Sequence, residues 1–129
     1  MKIIGTGIDI VEIERMQQVL ARWDRAFLNK VFLPAEQAYC DSRANPAVHY
    51  AGRFAVKEAV SKAFGTGMGP HLGWRDIETV RNASSGAPSV KLSDNAAQFA
   101  RQRGIGPIHI SLSHTHHHAV AHAIITEEE

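Results

Sequence analysis

The sequence holds a single cysteine, Cys40, in 129 residues, so no disulfide can form within the chain. That usage suits a reducing compartment. Its setting, Tyr39-Cys40-Asp41-Ser42, brings no base beside it in sequence and reads as a structural or surface thiol. Long hydrophobic runs are missing as well. The apolar stretch from Ile3 to Ile8 holds two glycines and stops at Asp9, too short and wrongly flanked for a signal peptide or a membrane span. Net charge is nearly absent at +1, which argues against a dedicated nucleic-acid binder. The charge that is present lies unevenly. The chain ends Glu127-Glu128-Glu129, and the residues before it carry 14 basic against 10 acidic side chains. Hydrophobic content of 44% and charged content of 21% are those of a soluble globular protein, expected to be cytoplasmic and to form one domain over residues 1–129.

Three familiar nucleotide and metal signatures are also missing. Gly5 and Gly7 are spaced like the start of a dinucleotide fingerprint, but Ile10 stands where the third glycine belongs. The glycine-rich segment Gly65 to Pro70 follows a predicted helix end, whereas a phosphate loop feeds a helix start. Six histidines fall between His109 and His122, including the run His116-His117-His118 at a predicted hairpin turn. No cysteine or His-Glu-x-x-His pattern supports a zinc site there.

The pattern that remains predicts an α+β fold. Residues 2–10 read as an isoleucine-rich strand, with Asp9 an acid at its end that needs a partner. Ile13, Met16, Leu20 and Trp23 repeat as a helix stripe. Between Arg15 and Phe32 there are four basic residues and one acid, Asp24, the most basic local patch in the chain. Pro34 suits the start of a short helix through Tyr39, and Asn45-Pro46 the start of a long one that Gly65 ends. Strands are expected near Ile77–Arg81 and Ser89–Leu92, then a helix capped by Ser93 or Asp94 and ending near Gly104. A final hairpin follows, with Ile108, Ile110 and Leu112 alternating against His109, Ser111 and Ser113.

Within the long helix, Ala55, Val56, Ala59, Val60 and Ala63 share one arc, and Arg53, Lys57, Glu58, Ser61 and Lys62 the other. An ordinary reading makes the second arc a solvated face. Phe54, placed among the polar residues, does not fit it. Asp9 and Glu58 are two carboxylates that would suit a hard cation such as Mg²⁺, with Lys57 and Lys62 offsetting phosphate charge. The Arg15–Lys30 patch would steer an acidic protein partner.

Three segments in order, Gly7-Ile-Asp9-Ile-Val-Glu-Ile-Glu-Arg15, Arg53-Phe-Ala-Val-Lys-Glu58-Ala-Val-Ser-Lys62-Ala-Phe-Gly-Thr-Gly67 and His109-Ile-Ser-Leu-Ser-His114, resemble the holo-[acyl-carrier-protein] synthase family. These are the small 4′-phosphopantetheinyl transferases of bacterial lipid synthesis. The resemblance spans essentially the whole chain. It implies the transferase fold, a small antiparallel sheet packed with a long central helix. It also implies transfer of 4′-phosphopantetheine from coenzyme A to a serine of apo-acyl carrier protein, with Mg²⁺ held by Asp9 and Glu58. Lys62 would stabilise diphosphate charge, making Asp9, Glu58 and Lys62 the catalytic set. Arg53, Lys62, Gly65 and His109 would meet coenzyme A, and Arg15, Arg22 and Arg25 the carrier protein. A homotrimer with sites at subunit interfaces is expected, with no membrane and no nucleic acid involved. Leu33-Pro34-Ala-Glu36 departs from the family's Ser- or Thr-led capping box and should cost a cap. Rival readings are a binding module that has lost turnover and a histidine-rich metal-handling protein.

Overall fold

The isoleucine-rich N-terminus forms strand β1 (Ile3–Glu12), and the helix stripe becomes α1 (Ile13–Val31). The computed structural model describes residues 1–129, apart from the side chains of residues 23 and 24. Trp23 of the expected stripe and Asp24 of the basic patch thus lie outside the described side chains. Then follow α2 (Pro34–Asp41), α3 (Pro46–Phe64), a short 3-10 turn (Trp74–Asp76), β2 (Ile77–Arg81) and β3 (Pro88–Leu92). The chain closes with α4 (Asp94–Gln102), β4 (Ile105–His114) and β5 (His118–Glu127). The order and type of elements match the α+β expectation. Several ends differ: β1 continues to Glu12, α2 runs to Asp41, β4 begins at Ile105, and α1 runs well past Trp23 to Val31.

The main sheet has the order β1-β5-β4, with both pairs antiparallel, and β2 pairs with β3 in a separate hairpin. Alternation decides its faces. Gly5, Gly7, Asp9 and Val11 of β1 point the same way as buried Ala119, Ala121, Ala123 and Ile125 of β5, toward α3. Ile8, Ile10, His122 and His109 point the other way and are exposed. Small residues let helix and strand meet closely. A Cβ on Gly7 would stand 1.9 Å from the Ala59 carbonyl oxygen, and one on Gly5 2.1 Å from that of Ala63. Two strand residues advance about 6.8 Å while four helical residues advance about 6 Å. Gly5 against Ala63 and Gly7 against Ala59 therefore keep step, and the next inward residue, Asp9, arrives beside the turn of α3 that holds Glu58.

Helix α3 is wanted by two cores. Ala55, Val56, Ala59, Val60 and Phe64 pack with β5, β2 and α4, while Ala47, Tyr50 and Ala51 pack with Ile13, Met16, Leu28 and Phe32 of the α1 side. This corrects the reading of its polar arc as a solvated face. Lys57 and Ser61 are fully buried and Arg53 is 6% exposed. Lys57 is held by Glu36 of α2: its Nζ donates to Glu36 Oε1 at 2.8 Å, to the Trp74 carbonyl at 2.9 Å and to the Ile77 carbonyl. The same Glu36 accepts from the backbone amides of Leu33 and Thr79. The expected loss of a cap at α2 is thus only half of what happens. Leu33 has no side chain that can cap, but the Glu36 carboxylate supplies the other half of a capping box and an ion pair besides. Asn45 makes no side-chain cap at α3, which Pro46 opens alone, and Gly65 closes it with φ 79° as expected.

Because β1 and α3 touch through hydrogen in place of a side chain, Gly7→Ala forces them apart. We expect it to lower unfolding free energy by about 3 kcal/mol, measured by urea denaturation, whereas alanine at exposed Gly69, which has open space, changes little.

Candidate active site

Glu58 and Lys62 lie one turn apart on α3, and β1 brings Asp9 to them. Lys62 Nζ sits 3.1 Å from Asp9 Oδ1 and donates to the Ile8 carbonyl at 3.0 Å. The lysine side chain is about half exposed and the aspartate largely covered. Glu58 holds its proton more tightly than an ordinary glutamate. Burial contributes most, the Asp9 charge adds to it, and Lys62 opposes both. The two carboxylates therefore share one electrostatic field, which a divalent cation would relieve. Carboxylate oxygens are the donors a hard cation such as Mg²⁺ takes, so the pair fits that ion.

Both carboxylates line a cavity of about 600 Å³ to which Met16, Val19, Phe27 and Phe54 contribute an apolar lining. Phe54 precedes Glu58 by one turn on the same side of α3. Its ring stacks on Trp74 at 4.9 Å, which explains an aromatic in a polar arc. Arg15 lines the cavity too, and with Val19 it also lines a shallow hollow that includes Arg22. Lys62 also lines a smaller hollow with Thr6, Gly7, Ile8 and His122. Gly65 is exposed beyond it with open space above its α-carbon.

Other sequence-predicted residues fall elsewhere. Arg53 is buried beneath the Tyr39 ring, its guanidinium carbon 4.2 Å from the ring centre and its Nε without a partner. Exposed Arg43 and Arg81 approach the same ring at 5.4 Å and 6.0 Å. His109 is exposed on the outer sheet face, opposite to Asp9, so strand alternation keeps it from the site of its own chain. Arg22 is exposed, but Arg25 is engaged, donating to Gln37 at 2.8 Å and to Asp41 at 3.2 Å. His118, read as part of a turn, is instead the first residue of β5 and lines the cavity opposite Glu12. Among the described residues, no group of three or more His, Cys, Asp and Glu side chains converges to hold a metal, the histidine cluster included. Trp74 and Glu36 were missed as contributors. The only signal for Glu36 was its place three residues after Leu33, which spoke of a cap.

Two carboxylates beside an ammonium, in a cavity that Arg15 of α1 also lines, suit a phosphate-bearing group held through a divalent cation. The chain belongs to the 4′-phosphopantetheinyl transferase superfamily, whose family model matches residues 5–128. The holo-[acyl-carrier-protein] synthase of Syntrophus aciditrophicus (strain SB) is 48% identical over 121 residues, covering 94% of each chain. That of Koribacter versatilis (strain Ellin345) is 44% identical, covering 97% of this chain and 99% of the relative. Among solved structures, the Neisseria meningitidis holo-[acyl-carrier-protein] synthase superposes with a TM-score of 0.91 at 27% identity, over 97% of this chain and 99% of that one. The Helicobacter pylori enzyme, solved in complex with coenzyme A, gives 0.83 at 31%, over 94% and 99%.

A shared field has a direct signature in the metal-free protein. In Asp9→Asn the Glu58 carboxyl should titrate lower than in the wild type, and in Lys62→Met higher, followed by carbon-13 NMR of its side chain. A carboxyl raised on folding contributes stability at low pH that is lost as pH rises through the raised value. Glu58→Gln should therefore escape the loss that the wild type suffers just above the ordinary value of 4.5.

Proposed function

We propose that this chain transfers 4′-phosphopantetheine from coenzyme A to a serine hydroxyl of apo-acyl carrier protein, releasing adenosine 3′,5′-bisphosphate. The observation that carries the reading is the line of side chains along α3. Phe54, Glu58 and Lys62 follow at intervals of one turn, with Asp9 set against them. Each interval is about 6 Å. Acceptor, reacting phosphate and leaving nucleotide thus have three stations on one rigid rod, which is what an in-line displacement needs.

In the reaction the serine oxygen bonds to the β-phosphorus, and the bond from that phosphorus to the bridging oxygen breaks. Asp9 and Glu58 would hold Mg²⁺, which supplies charge neutralisation and polarises the phosphoryl oxygens when bound. Lys62, half exposed and within reach of Asp9, balances charge gathering on the leaving diphosphate oxygen. A water or a carboxylate would take the serine proton. Gly65, with no side chain over it, lets the nucleotide approach the backbone. Arg53 acts through its field, since its guanidinium is stacked beneath Tyr39, while Arg43 and Arg81 on the same ring remain exposed to phosphate. Arg15 and Arg22 meet the acidic carrier; Arg25, paired with Asp41, adds to that surface more weakly.

The outer sheet face supports a homotrimer. Ile8 and Ile10 are 61% and 64% exposed on it, beside half-buried Val120 and Ile124. Association through this face covers them and turns His109 toward a neighbour's coenzyme A, which its own chain cannot offer it. No helix is long and apolar enough to cross a membrane among the described residues, and unpaired, buried Cys40 fits the reducing cytoplasm.

Incubation with coenzyme A, apo-acyl carrier protein and Mg²⁺ should add one phosphopantetheine to the carrier by mass spectrometry. Chelation or Glu58→Gln should slow this at least about 100-fold; loading unaffected by either would overturn the reading. For the assembly, Ile10→Lys should convert a trimer mass to a monomer mass in light scattering and depress transfer in step.

A further inference from the structure

Part of the cavity's apolar lining is held by a relay that begins at a buried ion pair. We propose that Trp74 is a positioning residue for the carrier-protein substrate: it fixes the Phe54 ring, and the Lys57–Glu36 pair fixes Trp74. The inference rests on the transferase reading above. Trp74 belongs to a short 3-10 turn, an element with little rigidity of its own. Its carbonyl nevertheless accepts from Lys57 Nζ at 2.9 Å, and the same ammonium binds the Ile77 carbonyl and Glu36. Glu36 in turn accepts from the Thr79 amide. Residues 74–79 are thereby tied at three points to a pair with no exposed side-chain surface. The Trp74 indole, half-buried, stacks on Phe54 with planes 27° apart.

The side of the reaction this affects follows from where Phe54 stands. It lines the cavity together with Met16, Val19 and Phe27, and the residues shared between that cavity and the basic hollow of α1 are Arg15 and Val19. Lys62 and Gly65, the nucleotide stations, lie two turns and more beyond Phe54, at the C-terminal end of α3. A loosened Phe54 therefore disturbs the partner arriving over α1 and leaves the nucleotide end untouched. Lys57 neighbours Glu58 in sequence, yet its buried ammonium serves this relay and not the phosphates.

The test is steady-state kinetics with apo-acyl carrier protein and coenzyme A as varied substrates. Trp74→Leu should raise KM for the carrier about five-fold or more and leave KM for coenzyme A within about two-fold. Trp74→Phe, which can still stack, should restore the wild-type value. In a Phe54→Leu background, Trp74→Leu should add less than about two-fold, because the two act as one unit. Equal rises in both KM values, or additive losses, would overturn the inference. A measurement that needs no change at residue 74 guards against poor folding of the variant. In Trp23→Phe, Trp74 is the sole indole, and its fluorescence should change on adding apo-carrier and not on adding coenzyme A; the reverse would also overturn it. Failure of the wild type to load any carrier would instead strike the transferase reading itself.

Discussion

Contact between β1 and α3 without intervening side chains is the constraint on which the site depends. Gly5 and Gly7 face Ala63 and Ala59 so closely that a methyl group has no room. The near-equal advance of two strand residues and four helical ones then carries the register forward to Asp9. An acid that would be costly on an inward strand face finds Lys62 there at 3.1 Å, with Glu58 one turn away. Glycines that look in sequence like the opening of a nucleotide fingerprint serve packing here, and catalysis only through packing.

A second buried interaction holds the other half of the helix. Lys57 and Glu36 are both out of reach of water, and each is satisfied by backbone partners as well as by the other. Pairs of this kind add little net stability compared with apolar packing, but removing one member strands the other. What this pair provides is geometry. It joins α2, α3 and the segment leading into β2 at a fixed point.

Most of the fold was legible in the sequence because strand alternation, proline at helix starts and glycine at a helix end are local signals. Asn45-Pro46 and Gly65 bracket α3, and Ile108 to Leu112 alternate as a half-buried strand should. The site was legible through motifs, since nothing local joins Asp9 to residues fifty positions away. The polar arc of α3 misled because a helical wheel assumes one buried side, and α3 serves two cores. Lys57 and Arg53, expected to meet phosphate, are drawn inside for that reason. Outward His109 shows a different limit: alternation sets its face, and that face turns away from Asp9 of the same chain. The extension of α1 to Val31 went unseen because its apolar stripe was followed only to Trp23, while Phe27, Leu28 and Val31 carry it on.

The stations on α3 also govern which changes in chain length the molecule can bear. Adding or deleting one residue between Phe54 and Lys62 turns everything beyond it by roughly 100°. That rotation would send Lys62 away from Asp9 and swing an alanine off the β1 glycines at the same stroke. Substitution can adjust this helix, but insertion cannot. Room for insertion lies instead in the exposed turn between β2 and β3, where Gly86 has φ 76° and Asn82 Oδ1 accepts from Ser84 and Ser85. Lengthening there leaves the rod and its spacing intact.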